Sequence, residues 1–138
     1  MSKLNWKPGT MIYPLPAVMV SCGSSPEEYN IITIAWTGTI CTDPPMCYIS
    51  VRPGRHSYEI IRRNGEFVIN LTTKDLAFAT DWCGIKSGKD FDKFAEMGLL
   101  LFAFKHKPFN FAFFGFSVHF KLWRIAGMSL SYQHLTWL

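Results

Sequence analysis

Two arginines, a histidine and a serine stand close together at Arg52, Arg55, His56 and Ser57, with Pro53-Gly54 between the arginines. Cations and a hydroxyl at the start of a helix make an anion site, because the first-turn N–H groups have no partner within the helix and the helix dipole is positive at that end. Just upstream, residues 30–36 (NIITIAW) are rich in β-branched side chains, and Trp36-Thr37-Gly38-Thr39 follows as a polar, glycine-containing exit. A flat polar-aromatic edge beside an anion site fits a ligand with a ring system and a phosphate.

The elements that must position these residues follow from the local pattern. Residues 17–22 (AVMVSC) read as a short apolar strand and residues 30–36 as the next. A loop through the rigid turn Asp43-Pro44-Pro45 leads to a strand over 46–52. Residues 57–64 read as a short helix that Ser57 caps and Asn64-Gly65 ends, with Ile60 and Ile61 facing the core and Arg62 and Arg63 facing water. Residues 66–71 (EFVINL) form a further strand with apolar alternation at Phe67, Ile69 and Leu71. A second helix spans 73–82 with Thr72 or Thr73 as its cap, a glycine-punctuated loop covers 83–89, and a third helix over 91–97 stops at Gly98. Strands first, with short helices between later strands, predict a mainly β fold: an antiparallel barrel with short capping helices rather than a doubly wound sheet.

Composition narrows the function classes. The chain has 138 residues, 49% hydrophobic and 17% charged, which is one globular domain with a real core. Its net charge of +4 comes from residues 99–138, which hold four Lys/Arg and no acid, whereas residues 1–98 are balanced at ten of each sign. No basic stripe interleaved with stacking aromatics points to nucleic acid. The four cysteines form no CxxC pair and lack zinc-like histidine spacing, so no metal is expected. They read as reduced, packed thiols of a cytoplasmic protein, Cys41 and Cys83 included. No leader with an apolar core is visible at the N-terminus.

In chain order the motifs are YP-x-P, N-x-x-T-x-A-W-x-G, DPP, S-x-R-P-x-R-x-S, G-E-F-V-x-N-L and D-x-C-G-x-x-S-G-x-x-x-D-K-F. Over roughly residues 10–98 this order resembles the flavin reductase-like, FMN-binding split-barrel family in its flavoredoxin-like branch. The resemblance implies a flavin ring along Thr33, Ala35, Trp36 and Thr37, with Asn30 supporting that strand and Ser50 and Arg52 ending the strand beneath the flavin. It implies a phosphate held by Arg55, His56 and Ser57, and a further cation from Lys93. Taken singly, Trp36 is a rim aromatic, Arg52 and Arg55 are solvated charges, Lys93 is a surface lysine and His56 a helix-start histidine. The ordered set is what gives them a shared role. The implied protein binds FMN non-covalently, uses no catalytic acid or base, and passes electrons from NAD(P)H or a redox partner to flavin or another acceptor. It is implied to be a homodimer with the flavin close to the interface. The alternative is a non-catalytic or defective FMN-binding protein. No GxGxxG occurs, so a nicotinamide would stack directly on the flavin.

Residues 99–138 depart from the pattern. They hold eight of the twelve phenylalanines and little clean period-2 or period-3.6 alternation. This divides the chain into a 1–98 FMN-binding core and a 99–138 aromatic, acid-free tail, with a barrel incomplete at its C-terminus. Three readings of the tail compete: a frameshifted coding sequence, a divergent but genuine barrel half, and a membrane-associated segment. Lys105, Lys107, Lys121 and Arg124 break every run that could span a bilayer as a helix, so a membrane role is not expected. The frameshift reading expects an alternative frame downstream of about codon 95 to encode a strand-patterned, acid-containing C-terminus. Sequencing the nucleotides through codons 95–138 checks this, and its absence rejects the frameshift.

Overall fold

The computed structural model describes residues 4–5, 7–9, 12–43 and 45–100, and the strand backbone of residues 102–103, 111–112, 117–125 and 128–134. Nine strands are described: β1 Val18–Cys22, β2 Asn30–Ile34, β3 Thr37–Thr42, β4 Pro45–Ile49, β5 Glu66–Leu71, β6 Phe102–Ala103, β7 Phe111–Ala112, β8 Ser117–Ile125 and β9 Met128–His134. Three α-helices accompany them: α1 His56–Asn64, α2 Ala77–Ile85 and α3 Lys93–Glu96. Seven strands form one antiparallel sheet in the order β2-β1-β5-β8-β9-β4-β3, while β6 and β7 pair separately.

The strand order carries a geometric consequence. β2 and β3 lie at its opposite ends, yet only Ala35 and Trp36 separate them in sequence. Three consecutive Cα steps reach at most about 11 Å, so the sheet must curl until its two ends lie side by side. No pairing joins β2 to β3 among the described residues. The result is a split β-barrel, as the sequence predicts.

Two apolar clusters flank the sheet. Val18, Val20, Cys22, Ile32, Ile34, Cys47, Phe67 and Ile69 form one, closed by Ile60 and Ile61 of α1. Met19, Ile31, Cys83 and Phe94 form the other, under α2 and α3. Residues of β1 alternate between them, which is why all five are buried and why the strand reads as an unbroken apolar run.

Several local expectations change. The stretch read as a loop, residues 37–42, is strand β3, because its β-branched residues pair with β4 from Thr37 opposite Ile49 to Thr42 opposite Pro45. Pro44, in the expected turn, lies outside the described residues. The N-cap of α1 is Arg55, not Ser57, and makes no side-chain cap. The helix ends as predicted, with Gly65 at φ 72° and its N–H on the Ile61 carbonyl at 2.8 Å. A 3-10 turn over Lys74–Leu76 precedes α2, and the Thr72 hydroxyl donates to the Ala17 carbonyl at 2.7 Å instead of capping it. In β5 the alternation breaks down: Val68 and Asn70 are buried like Phe67 and Ile69, and Leu71 is exposed.

The backbone of β8 and β9 lies between β5 and β4 in the sheet, with Phe67 opposite Phe120 and Ile125 opposite Met128. Residues 104–110 and 113–116, within the tail, lie outside the described residues.

Among the described residues Phe67 is the largest fully buried side chain, 2% exposed. Phe67→Ala is expected to lower unfolding free energy by about 3–5 kcal/mol, measured by urea denaturation.

Candidate functional site

The two ends of the sheet meet over a cleft with two adjoining pockets that share Ile32 and Arg55. One lies at the split itself, about 160 Å³, lined by residues 32–36, 50–52 and Arg55. Thr33, Ala35, Trp36, Ser50 and Arg52 thus line one pocket. The Trp36 ring is 43% exposed, and the Arg52 guanidinium carbon sits 5.6 Å from its centroid, a cation–π arrangement. The Ser50 N–H donates to the Trp36 carbonyl at 2.8 Å, holding the exit of β4 against the turn between β2 and β3. Two threonines serve as struts. The Thr33 hydroxyl donates to the Thr80 carbonyl of α2, and the Thr37 hydroxyl donates to the Tyr48 carbonyl at 2.6 Å. Thr37 lines neither pocket, and its hydroxyl is turned onto β4.

The second pocket, about 140 Å³, lies at the first turn of α1. Arg55, His56 and Ser57 line it from one side, Asn30 and Ile32 from β2, and Cys83, Gly84, Lys86, Ser87, Gly88 and Lys93 from the other. Arg55, His56, Lys86 and Lys93 supply its charge, and no carboxylate lines it. Basic groups from three separate segments converge on a helix N-terminus, a donor set for an anion.

Lys93 is not the surface lysine its sequence alone suggests. The Asp92 carboxylate accepts from the N–H groups of Phe94 and Ala95 at 3.0 and 3.1 Å, and this cap turns Lys93 and Phe94 inward. Lys93 is 4% exposed, and its Nζ donates to the Ile31 carbonyl at 2.9 Å and the Cys83 carbonyl at 2.8 Å. It therefore ties α3 to β2 and to α2 while bordering the pocket. Burial pulls its pKa below the usual lysine value; the Cys83 thiol opposes this, Arg55 reinforces it and Cys22 opposes it.

Burial, and then the charges of Lys89 and Lys93, hold the His56 imidazole below its usual 6.5. Ser57 is 1% exposed, and its Oγ accepts from Asn30 Nδ2 at 2.8 Å. The thiols behave as packed side chains. None of the four is in a disulfide, and burial pushes Cys22 and Cys47 up to about 12 and raises Cys83, the last against the pull of Lys93.

The sequence reading missed the loop wall. Gly84, Lys86, Ser87 and Gly88 line the anion pocket together with Lys93. The signal was present in the D-x-C-G-x-x-S-G-x-x-x-D-K-F motif, from which only Lys93 was carried into the site.

Fold and site together define a split-barrel protein with an anion pocket beside an aromatic cleft. Residues 10–101 match the flavin reductase like domain, and the chain belongs to that family. It is similar in structure to flavoredoxin of Desulfovibrio vulgaris (Miyazaki F), with a TM-score of 0.80 and 27% identity over 97% of this chain and 74% of that one. Flavoredoxin from Methanosarcina acetivorans superposes with a TM-score of 0.79 at 20% identity, over 98% of this chain and 73% of that one. A protein of Pyrococcus abyssi with no assigned function is 26% identical over 91 residues, 66% of this chain and 51% of its own length. The chain thus spans about half the length of the curated relatives it matches. No helix among the described residues is long and apolar enough to cross a membrane.

The lowered pKa of His56 sets a direction for pH dependence. The folded chain binds this proton less readily than the unfolded chain, so the stability contributed by neutral His56 is complete above 6.5 and declines as pH falls through the lowered folded value. His56→Gln is expected to remove that part of the decline when unfolding free energy is compared at pH 7.5, 6.5 and 5.5. An unchanged slope counts against the assignment.

Proposed function

We propose that the chain binds FMN non-covalently across the two pockets and acts as a flavin reductase-type oxidoreductase. Electrons enter from NAD(P)H or a redox partner protein and leave to free flavin or another acceptor. The observation that carries this reading is the pair of pockets joined at Ile32 and Arg55, one cationic and free of carboxylates, the other walled by Trp36 and Arg52. A mononucleotide flavin needs both halves: a flat slot for its ring and fixed cations with helix N–H groups for its phosphate.

In this reading Arg55, His56 and Lys86 pair with the phosphate at the first turn of α1. Lys93 adds positive potential from behind while its Nζ holds the Ile31 and Cys83 carbonyls. Trp36 and the 32–35 backbone border the ring, and Arg52, already over the indole, can swing to the ring's polar edge. The flavin, when bound, supplies the redox chemistry, and the chain's own residues bind, orient and shield it. The nicotinamide stacks on the exposed face of the cleft, since the sequence holds no separate dinucleotide fingerprint. A homodimer would cover the exposed Trp36, Ile40 and Tyr48 along β3 and β4, next to the cleft. The site of action in this reading is the cytoplasm, where the four thiols stay reduced.

The purified chain is expected to bind one FMN per chain, with quenching of flavin fluorescence, and to oxidise NAD(P)H when free flavin is supplied. Arg55→Ala is expected to raise the FMN Kd by about tenfold, with the effect shrinking as salt is added. Bound FMN without NAD(P)H oxidation selects the non-catalytic alternative, and no flavin uptake by the wild-type chain rejects the reading.

A further inference from the structure

Gly88 has no room for a side chain. A Cβ there would lie 2.1 Å from Asn30 Oδ1, 2.6 Å from Cγ and 2.9 Å from Nδ2, so the whole carboxamide faces the glycine. Moving the end of a flexible side chain is ordinarily cheap, but Asn30 is 4% exposed and its Nδ2 is committed to Ser57 Oγ at 2.8 Å. Ser57 in turn is 1% exposed within the first turn of α1. Three segments distant in sequence are therefore in direct register: the 86–88 loop, the first residue of β2 and the start of α1. All three line the anion pocket.

Resting on the FMN reading above, we infer that Gly88 and Asn30 are positioning residues for the phosphate half of the site. The bare Cα at 88 lets the loop close onto the Asn30 carboxamide, and Asn30 transmits that position to α1 through Ser57. That contact would fix where the loop's Lys86 stands relative to the helix's Arg55 and His56, which line the same pocket. The ring half is lined by residues 32–36, 50–52 and Arg55, and none of Gly88, Asn30 and Ser57 is among its lining residues. A disturbance at Gly88 should thus reach the phosphate and spare the ring. A residue that only stabilised the fold would affect both.

The test uses the full chain carrying Gly88→Ala, titrated with FMN and with riboflavin, which has the ring but no phosphate. The expected result is an FMN Kd raised by about tenfold or more and a riboflavin Kd within about twofold of wild type. In an Asn30→Ala background, where the carboxamide is gone, adding Gly88→Ala is expected to change the FMN Kd by less than about twofold. Ser57→Ala, which keeps the glycine and removes only the acceptor, is expected to reproduce the FMN-selective loss and covers the case in which Gly88→Ala fails to fold. Equal loss for both flavins, no loss for either, or an undiminished Gly88→Ala effect without Asn30 would overturn the inference. A wild-type chain that binds neither flavin would instead reject the FMN reading. The clamp is then decided by the Asn30 side-chain amide NMR resonances of the ligand-free protein, where displacement in Gly88→Ala supports it and unmoved signals refute it.

Discussion

The rest of this structure depends on a short tether. β2 and β3 occupy opposite ends of a seven-stranded sheet, and Ala35 and Trp36 alone connect them. A covalent link that short leaves the sheet no choice but to roll up. The seam is not zipped by strand pairing, so it opens as a cleft instead of closing as a wall. The hydrogen bonds from Ser50 to the Trp36 carbonyl and from Thr37 to the Tyr48 carbonyl then pin the tether to β4. The pocket walled by Trp36 and Arg52 is lined by β2, the tether and the segment that leaves β4.

The anion half depends on electrostatics gathered from a distance. Arg55 and His56 come from the start of α1, Lys86 from the loop after α2, and Lys93 from α3. Like charges brought together repel, and each would be more comfortable in water. Lys93 shows how the fold meets that cost. Two backbone carbonyls satisfy its Nζ, and the same bonds secure the helices carrying the loop wall. Lys93 and His56 are both held below their usual pKa, by burial first and then by neighbouring positive charge. The pocket gathers these basic side chains with no carboxylate in its lining.

Much of this was legible beforehand. β5 falls where its pattern puts it, α1 begins one residue early, and the glycine stop of α1 is the one the Asn64-Gly65 pair announces. What misled were residues whose local preferences were overruled. Ser57 has the chemistry of a cap, but its hydroxyl is taken by Asn30 from β2. Thr73 has it too, and makes no cap bond. The residues of β3 read as a glycine-containing loop because a strand at the edge of the split need not alternate cleanly. Strands β8 and β9 fall within residues 99–138, which the sequence reading set apart as an aromatic, acid-free tail.

By itself the sequence determined the inventory: the cations at 52, 55, 56 and 93, the aromatic at 36, the glycines at 84 and 88, and the order of the elements carrying them. Those properties are local, and residue type with spacing is enough to read them. Only the tertiary structure decided which of these residues face one another. Lys93 lies against Ile31 across 62 residues of chain, Asn30 against Ser57 across 27, and Gly88 against Asn30 with no room for a methyl group. Such contacts exist because a sheet with joined ends must close, and closure brings together positions that no local pattern links.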